Sequence, residues 1–130
     1  MYCNGTHGQS IGSLGQYKGE MSFVKDVVIE NLWMLNGQHA SRLKTWAGPD
    51  VGYGFIDNVT FRNFYGGNNE YNAFIDSCYF NINATTCNQY PSKMNISNIL
   101  FGELFPSLPK LLHRLTRFRK LLRLQLWKVR

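Results

Sequence analysis

What this sequence lacks narrows its class. No apolar run reaches the roughly 18 to 20 residues that span a bilayer, and the start, Met1-Tyr2-Cys3-Asn4, has neither a basic n-region nor an apolar h-region. No transmembrane helix or signal peptide is therefore expected in this chain. Charged residues are only 17% against 44% hydrophobic ones, which excludes a disordered polyelectrolyte, and the twelve glycines follow no triplet period, which excludes collagen. With 130 residues the chain has room for a single core.

Acidic residues are missing from one segment in particular. Residues 1–101 carry six Lys/Arg and seven Asp/Glu, whereas residues 102–130 carry eight Lys/Arg and only Glu103. The net charge of +6 thus comes from the tail, and it is no sign of a nucleic-acid-binding body. The body is also poor in Ala, Glu and Leu, the residues of long helices, and rich in Asn, Gly, Val, Ile, Phe and Tyr. It reads as β structure with many corners.

An internal period organises it. Val24-Lys-Asp-Val-Val-Ile-Glu-Asn-Leu32 aligns with Ile56-Asp-Asn-Val-Thr-Phe-Arg-Asn-Phe64, 32 residues on, and with Ile96-Ser-Asn-Ile-Leu-Phe-Gly-Glu-Leu104, 40 further. Independently, Ile11, Leu43 and Ile75 recur every 32 residues. Two series with one step predict a solenoid of stacked coils, best matched by a right-handed parallel β-helix. A β-sandwich with coincidental spacing is the alternative, but it would need hairpin turns every 8 to 12 residues, and none is evident. The eight extra residues of the second step fall between Ile75 and Ile96, beside Cys78 and Cys87, and predict a lateral loop closed by a disulfide.

Four N-glycosylation sequons begin at Asn4, Asn58, Asn83 and Asn95. Together with a Cys78–Cys87 bridge they point to an oxidising, secretory history. Cys3 is then unpaired, as though its partner were encoded upstream.

If Leu43 points inward with Ile11 and Ile75, strand alternation sends Arg42 and Lys44 outward together, next to the coil carrying His7, Ser10 and Gly12. An exposed Arg–Lys pair suits a carboxylate or phosphate, and two solvated surface cations are the plainer reading. His7 lies between Gly5 and Gly8, which permit close backbone approach to a ligand. The histidines and cysteines show no zinc spacing, so no metal is expected, and Gly12-Ser13-Leu14-Gly15 lacks a full phosphate-loop or dinucleotide signature, so no nucleotide cofactor is expected either.

The segments Tyr2-Cys3-Asn4-Gly5-Thr6-His7-Gly8-Gln9-Ser10-Ile11-Gly12-Ser13-Leu14-Gly15, Ala40-Ser41-Arg42-Leu43-Lys44-Thr45-Trp46 and Ile75-Asp76-Ser77-Cys78-Tyr79 closely resemble fungal exopolygalacturonases of glycoside hydrolase family 28. The resemblance covers about residues 2–101 and itself implies a right-handed β-helix. It further implies that His7 is the active-site histidine orienting the catalytic acid, that Arg42 and Lys44 grip a galacturonate carboxylate, and that Tyr79 contacts substrate. It implies a secreted, monomeric complete enzyme that degrades pectin by inverting exo-hydrolysis of polygalacturonate. Thr6 stands where many endo-acting relatives have Gly, and Leu43 replaces the commoner Ile. One departure is severe. The family's catalytic aspartates lie upstream of the histidine, and Asp26, Asp50, Asp57 and Asp76 sit in none of those motifs, so the chain alone is expected to be inactive.

From residue 105 to 130 the resemblance stops. Leu111, Leu115, Phe118, Leu122 and Val129 fall near one helical stripe, with Arg114, Arg117, Lys120 and Lys128 on other faces, so a basic amphipathic helix is expected after Pro109. Such a helix could rest on an anionic membrane, and membrane contact is expected nowhere else. The competing view is out-of-frame or intron-derived translation. The second functional class is accordingly a non-catalytic carbohydrate-binding or membrane-associating product. With its stack cut in mid-coil and Ile11, Leu43 and Ile75 bare at that end, the isolated chain is expected to be poorly soluble or oligomeric.

Overall fold

The structure is a computed structural model that describes residues 1–80, 82–102 and 104–106. Asn, Asp and Gly at regular intervals turn the chain, and β-branched and aromatic residues fill the straight stretches between them. The elements are β1 (Tyr2–Asn4), β2 (Gln9–Leu14), β3 (Met21–Leu35), β4 (His39–Trp46), β5 (Tyr53–Gly67), β6 (Tyr71–Tyr79), α1 (Ala84–Gln89), β7 (Lys93–Phe101) and β8 (Leu104–Pro106).

All pairings are parallel. One sheet has the order β1-β3-β5-β7, with β8 also on β5, and the other has the order β2-β4-β6. This is a parallel β-helix, and its register is the period of the sequence: Val24 pairs with Ile56 and Ile56 with Ile96, while Ile11 pairs with Leu43 and Leu43 with Ile75. Pairing extends through Phe105 and Pro106, opposite Tyr65 and Gly66, so the repeat runs two residues past the expected boundary at 104. The helix expected after Pro109 lies outside the described residues.

Strands β3 and β5 each bend twice, at residues with left-handed backbone: Asp26 (φ 56°) and Asn31 (φ 60°), then Asn58 (φ 51°) and Asn63 (φ 52°). Asn and Asp tolerate this region better than other non-glycine residues because their short side chains find local partners. Here the partner is the residue at the same position one coil away. Asn58 Nδ2 donates to Asp26 Oδ1 at 2.8 Å, Asn63 Nδ2 to Asn31 Oδ1 at 3.1 Å, and Asn68 Nδ2 to Asn36 Oδ1 at 2.9 Å.

Inside the corners lies one core of Ile11, Leu14, Leu32, Met34, Leu43, Ile56, Val59, Phe61, Phe64 and neighbours. Phe61 stacks on Phe101 with ring centroids 5.2 Å apart and meets Phe64 edge-on at 5.8 Å. The expectation that Ile11, Leu43 and Ile75 would be bare at one end does not hold. Leu43 is fully buried and Ile11 only 9% exposed, because Ile11 joins the same cluster as Leu14, Met34 and Leu43. Between β6 and β7 the extra residues form the lateral loop, which contains α1 and is closed by the Cys78–Cys87 disulfide. Asn83 caps α1 by accepting from the Thr86 N–H at 2.8 Å. Cys3 is free and half-buried.

Candidate carboxylate-binding face

Strand β4 positions the two cations. Ser41, Leu43 and Thr45 point into the core at 1% exposure or less, so Arg42 and Lys44 project from the opposite side. Arg42 pairs with Ser10 on one side and Phe74 on the other, and Lys44 pairs with Asp76. Gly12 has φ 99°, and a Cβ there would fall 2.4 Å from the Lys44 carbonyl oxygen, so this close approach of β2 to β4 requires glycine.

Both cations converge on one ring. The Arg42 guanidinium carbon lies 5.3 Å from the Tyr79 centroid and 5.8 Å from that of Phe74, and Lys44 Nζ lies 5.1 Å from Tyr79. These are cation–π distances. Arg42 Nη2 also donates to Asp76 Oδ2 in an ion pair whose side chains are only 14% and 17% exposed. Asp76 is held from behind, its Oδ1 accepting from the Cys78 N–H at 3.3 Å, next to the disulfide. The sequence reading of two equivalent outward cations is thereby refined. Arg42 is already neutralised and its Nε is buried without a partner, whereas Lys44 has no carboxylate partner among the described residues.

His7 lies at the edge of this face. Its exposed ring donates from Nδ1 to Gln38 Oε1 at 2.8 Å, on the next coil, and the Gln38 N–H donates to the Thr6 carbonyl at 3.0 Å. The structure joins Arg42, Lys44 and Tyr79 directly, whereas the side chain of His7 is tied to Gln38, the neighbour of His39. His39 is buried, stacked on Tyr71 at 5.6 Å and tilted against Phe74 at 4.8 Å. A Cβ on Gly8 would come within 2.7 Å of the His39 carbonyl oxygen. Burial, and then the Arg42 charge, hold the His39 pKa below the usual histidine value, against weaker opposition from the His7 backbone, Glu70 and Asp76.

Sequence reasoning passed over Asp76, Gln38, His39 and Phe74 as members of this face. The 32-residue step could have found two of them, since Asp76 is one coil from Lys44 and Phe74 one coil from Arg42.

Fold and face together define a β-helical protein with a cationic, aromatic-lined surface. Residues 1–108 match Glycosyl hydrolases family 28, and the chain belongs to that family. It is 55% identical over 107 residues to Exopolygalacturonase B of Aspergillus niger, covering 82% of this chain and 24% of that protein. It is 52% identical over 105 residues to Probable exopolygalacturonase B of Aspergillus fumigatus, covering 81% of this chain and 23% of the relative. The chain thus spans about a quarter of the length of the curated relatives it matches. Among solved structures, endo-xylogalacturonan hydrolase from Aspergillus tubingensis superposes with a TM-score of 0.69 at 31% identity, over 80% of this chain and 28% of that one.

Proposed function

We propose that this chain is the carboxylate-recognising part of an extracellular pectin-degrading exopolygalacturonase, and that Arg42, Lys44 and Tyr79 hold a galacturonate unit of polygalacturonate. The observation that carries the reading is the convergence of both cations on the Tyr79 ring, beneath a guanidinium that retains an unpartnered buried N–H. Lys44 supplies the point charge for a carboxylate, Tyr79 an apolar surface for the sugar ring, and Arg42 a planar donor array held in place by Asp76. The disulfide suits an oxidising compartment, in keeping with secretion. The similarity to proteins named exopolygalacturonase supports the substrate class.

Hydrolysis needs more than this face. An inverting glycosidase places two carboxyl groups roughly 6.5–9.5 Å apart across the scissile bond, whereas the Asp76 carboxylate on this face is committed to Arg42. In the reading proposed, the acid and base come from the remainder of the protein, and His7, held by Gln38, orients the acid. The test is co-sedimentation of chain 1–130 with insoluble polygalacturonate, alongside reducing-sugar release. Retention on polygalacturonate but not on uncharged galactan, with no sugar released, is expected; equal retention on both would refute the assignment.

A further inference from the structure

A different sheet presents an outward face that the carboxylate site does not use. The first straight segments of β3, β5 and β7 stack Met21 on Tyr53 on Lys93, and Phe23 on Phe55 on Asn95. The Phe23 and Phe55 rings lie parallel, 5.4 Å apart at 18°, with Phe23 59% and Tyr53 48% exposed. Tyr53, Phe55, Asp57, Lys93, Asn95 and Ser97 line an open groove of about 510 Å³. That volume is within the roughly 300–1,000 Å³ of small-molecule sites. Where the next ring of the column would stand there is instead Asn95, the first residue of the sequon Asn95-Ile96-Ser97.

The four sequons are not equivalent. The Asn58 Nδ2 that a glycan would occupy already donates to Asp26, Asn83 Oδ1 caps α1, and Asn4 Oδ1 accepts from Asn36. Asn95 is exposed and makes no side-chain hydrogen bond among the described residues. It alone of the four opens onto an aromatic platform.

We propose that Asn95 is an N-glycosylation site and that the groove is the seat of its first N-acetylglucosamine, whose C–H face lies on the Phe55 ring, which Phe23 backs from the coil beyond. In the transfer, Asn95 Nδ2 bonds to C1 of the sugar, the C1–O bond to a lipid diphosphate donor breaks, the diphosphate leaves and Nδ2 loses one proton. The glycan then covers the exposed apolar surface, which otherwise invites association.

The experiment passes chain 1–130, behind a cleavable leader, through the secretory pathway of a yeast, and maps glycopeptides from cells and medium. Asn95 is expected to be occupied in most molecules. Peptide-N-glycosidase is expected to release its glycan about tenfold more slowly from folded than from unfolded chain, as an aromatic contact of this kind allows. Phe55→Leu should remove most of that difference and Phe55→Tyr should retain it, with Phe55→Ile as the second test if Phe55→Leu fails to fold. An empty Asn95, whether or not other sequons are filled, overturns the proposal. So does a release ratio that neither substitution changes.

Discussion

The two sheets of this β-helix use the same interior and different exteriors. On the β1-β3-β5-β7 sheet several outward columns repeat like with like: Trp33 stacks on Tyr65 at 4.3 Å, Phe23 on Phe55, and Asn58 ladders onto Asp26. On the β2-β4-β6 sheet the outward column reads Ser10, Arg42, Phe74, with Lys44 and Asp76 paired beside it, while the inward column is still Ile11, Leu43, Ile75. Like-on-like stacking adds one favourable contact per coil and is what holds a solenoid together. Unlike columns forgo that regularity and need compensation, as Arg42 needs Asp76. In this chain the interior keeps the period on both sheets, and the lapses fall on the outside.

The largest effect should come from the shared interior. Phe64→Ala removes a fully buried ring from the coil interface and is expected to cost about 3–5 kcal/mol in urea unfolding. A loss under about 1 kcal/mol would mean that the interior is not the common support of both faces. The next contrast sets two ion pairs against each other. Asp76→Ala strands a mostly buried Arg42 and is expected to cost roughly 2–4 kcal/mol, somewhat less than a fully buried pair because of its partial exposure. Glu30 and Arg62, paired at 2.5 Å on the repeating sheet, are 39% and 54% exposed, so Arg62→Ala should cost about 1 kcal/mol or less. Equal losses would erase the distinction between the faces.

The smallest effect is the pH dependence that His39 gives the varied face. The His39 pKa is lower folded than unfolded, so below the usual value of 6.5 the unfolded chain takes up a proton that the folded chain refuses. Stability should therefore fall as pH drops through and below 6.5, until the lowered folded pKa is reached. His39→Gln should flatten that part of the profile. An unchanged slope would place the titration elsewhere.

Much of this was legible because in a solenoid the strand register is the sequence period. The pairings of Val24 with Ile56 and of Ile11 with Leu43 could be read as residue differences, and the Cys78–Cys87 loop announced itself as the place where the step grew from 32 to 40. The Arg42–Asp76 pair was not legible. It joins residues 34 apart, diagonal to the register, and depends on which rotamer a long side chain adopts. The 40-residue step already set Asn95 opposite Phe55, and the groove there was not legible because it depends on how the side chains leave space between coils, not on register. The burial of Ile11 was missed because it depends on Leu14 and Met34, which belong to neither of the two series.

The most direct test of the account compares an oligogalacturonate with its methyl ester, which keeps the sugar rings and removes the carboxylate charge, in calorimetric titrations of chain 1–130 and of Lys44→Ala. A charge-assisted contact of roughly 1.5–3 kcal/mol corresponds to about a 10- to 150-fold preference for the acid. The expected result is that preference in the unaltered chain and its collapse in Lys44→Ala. Equal affinity for acid and ester, or a preference that survives the loss of Lys44, would contradict the claim that this face recognises a uronate carboxylate.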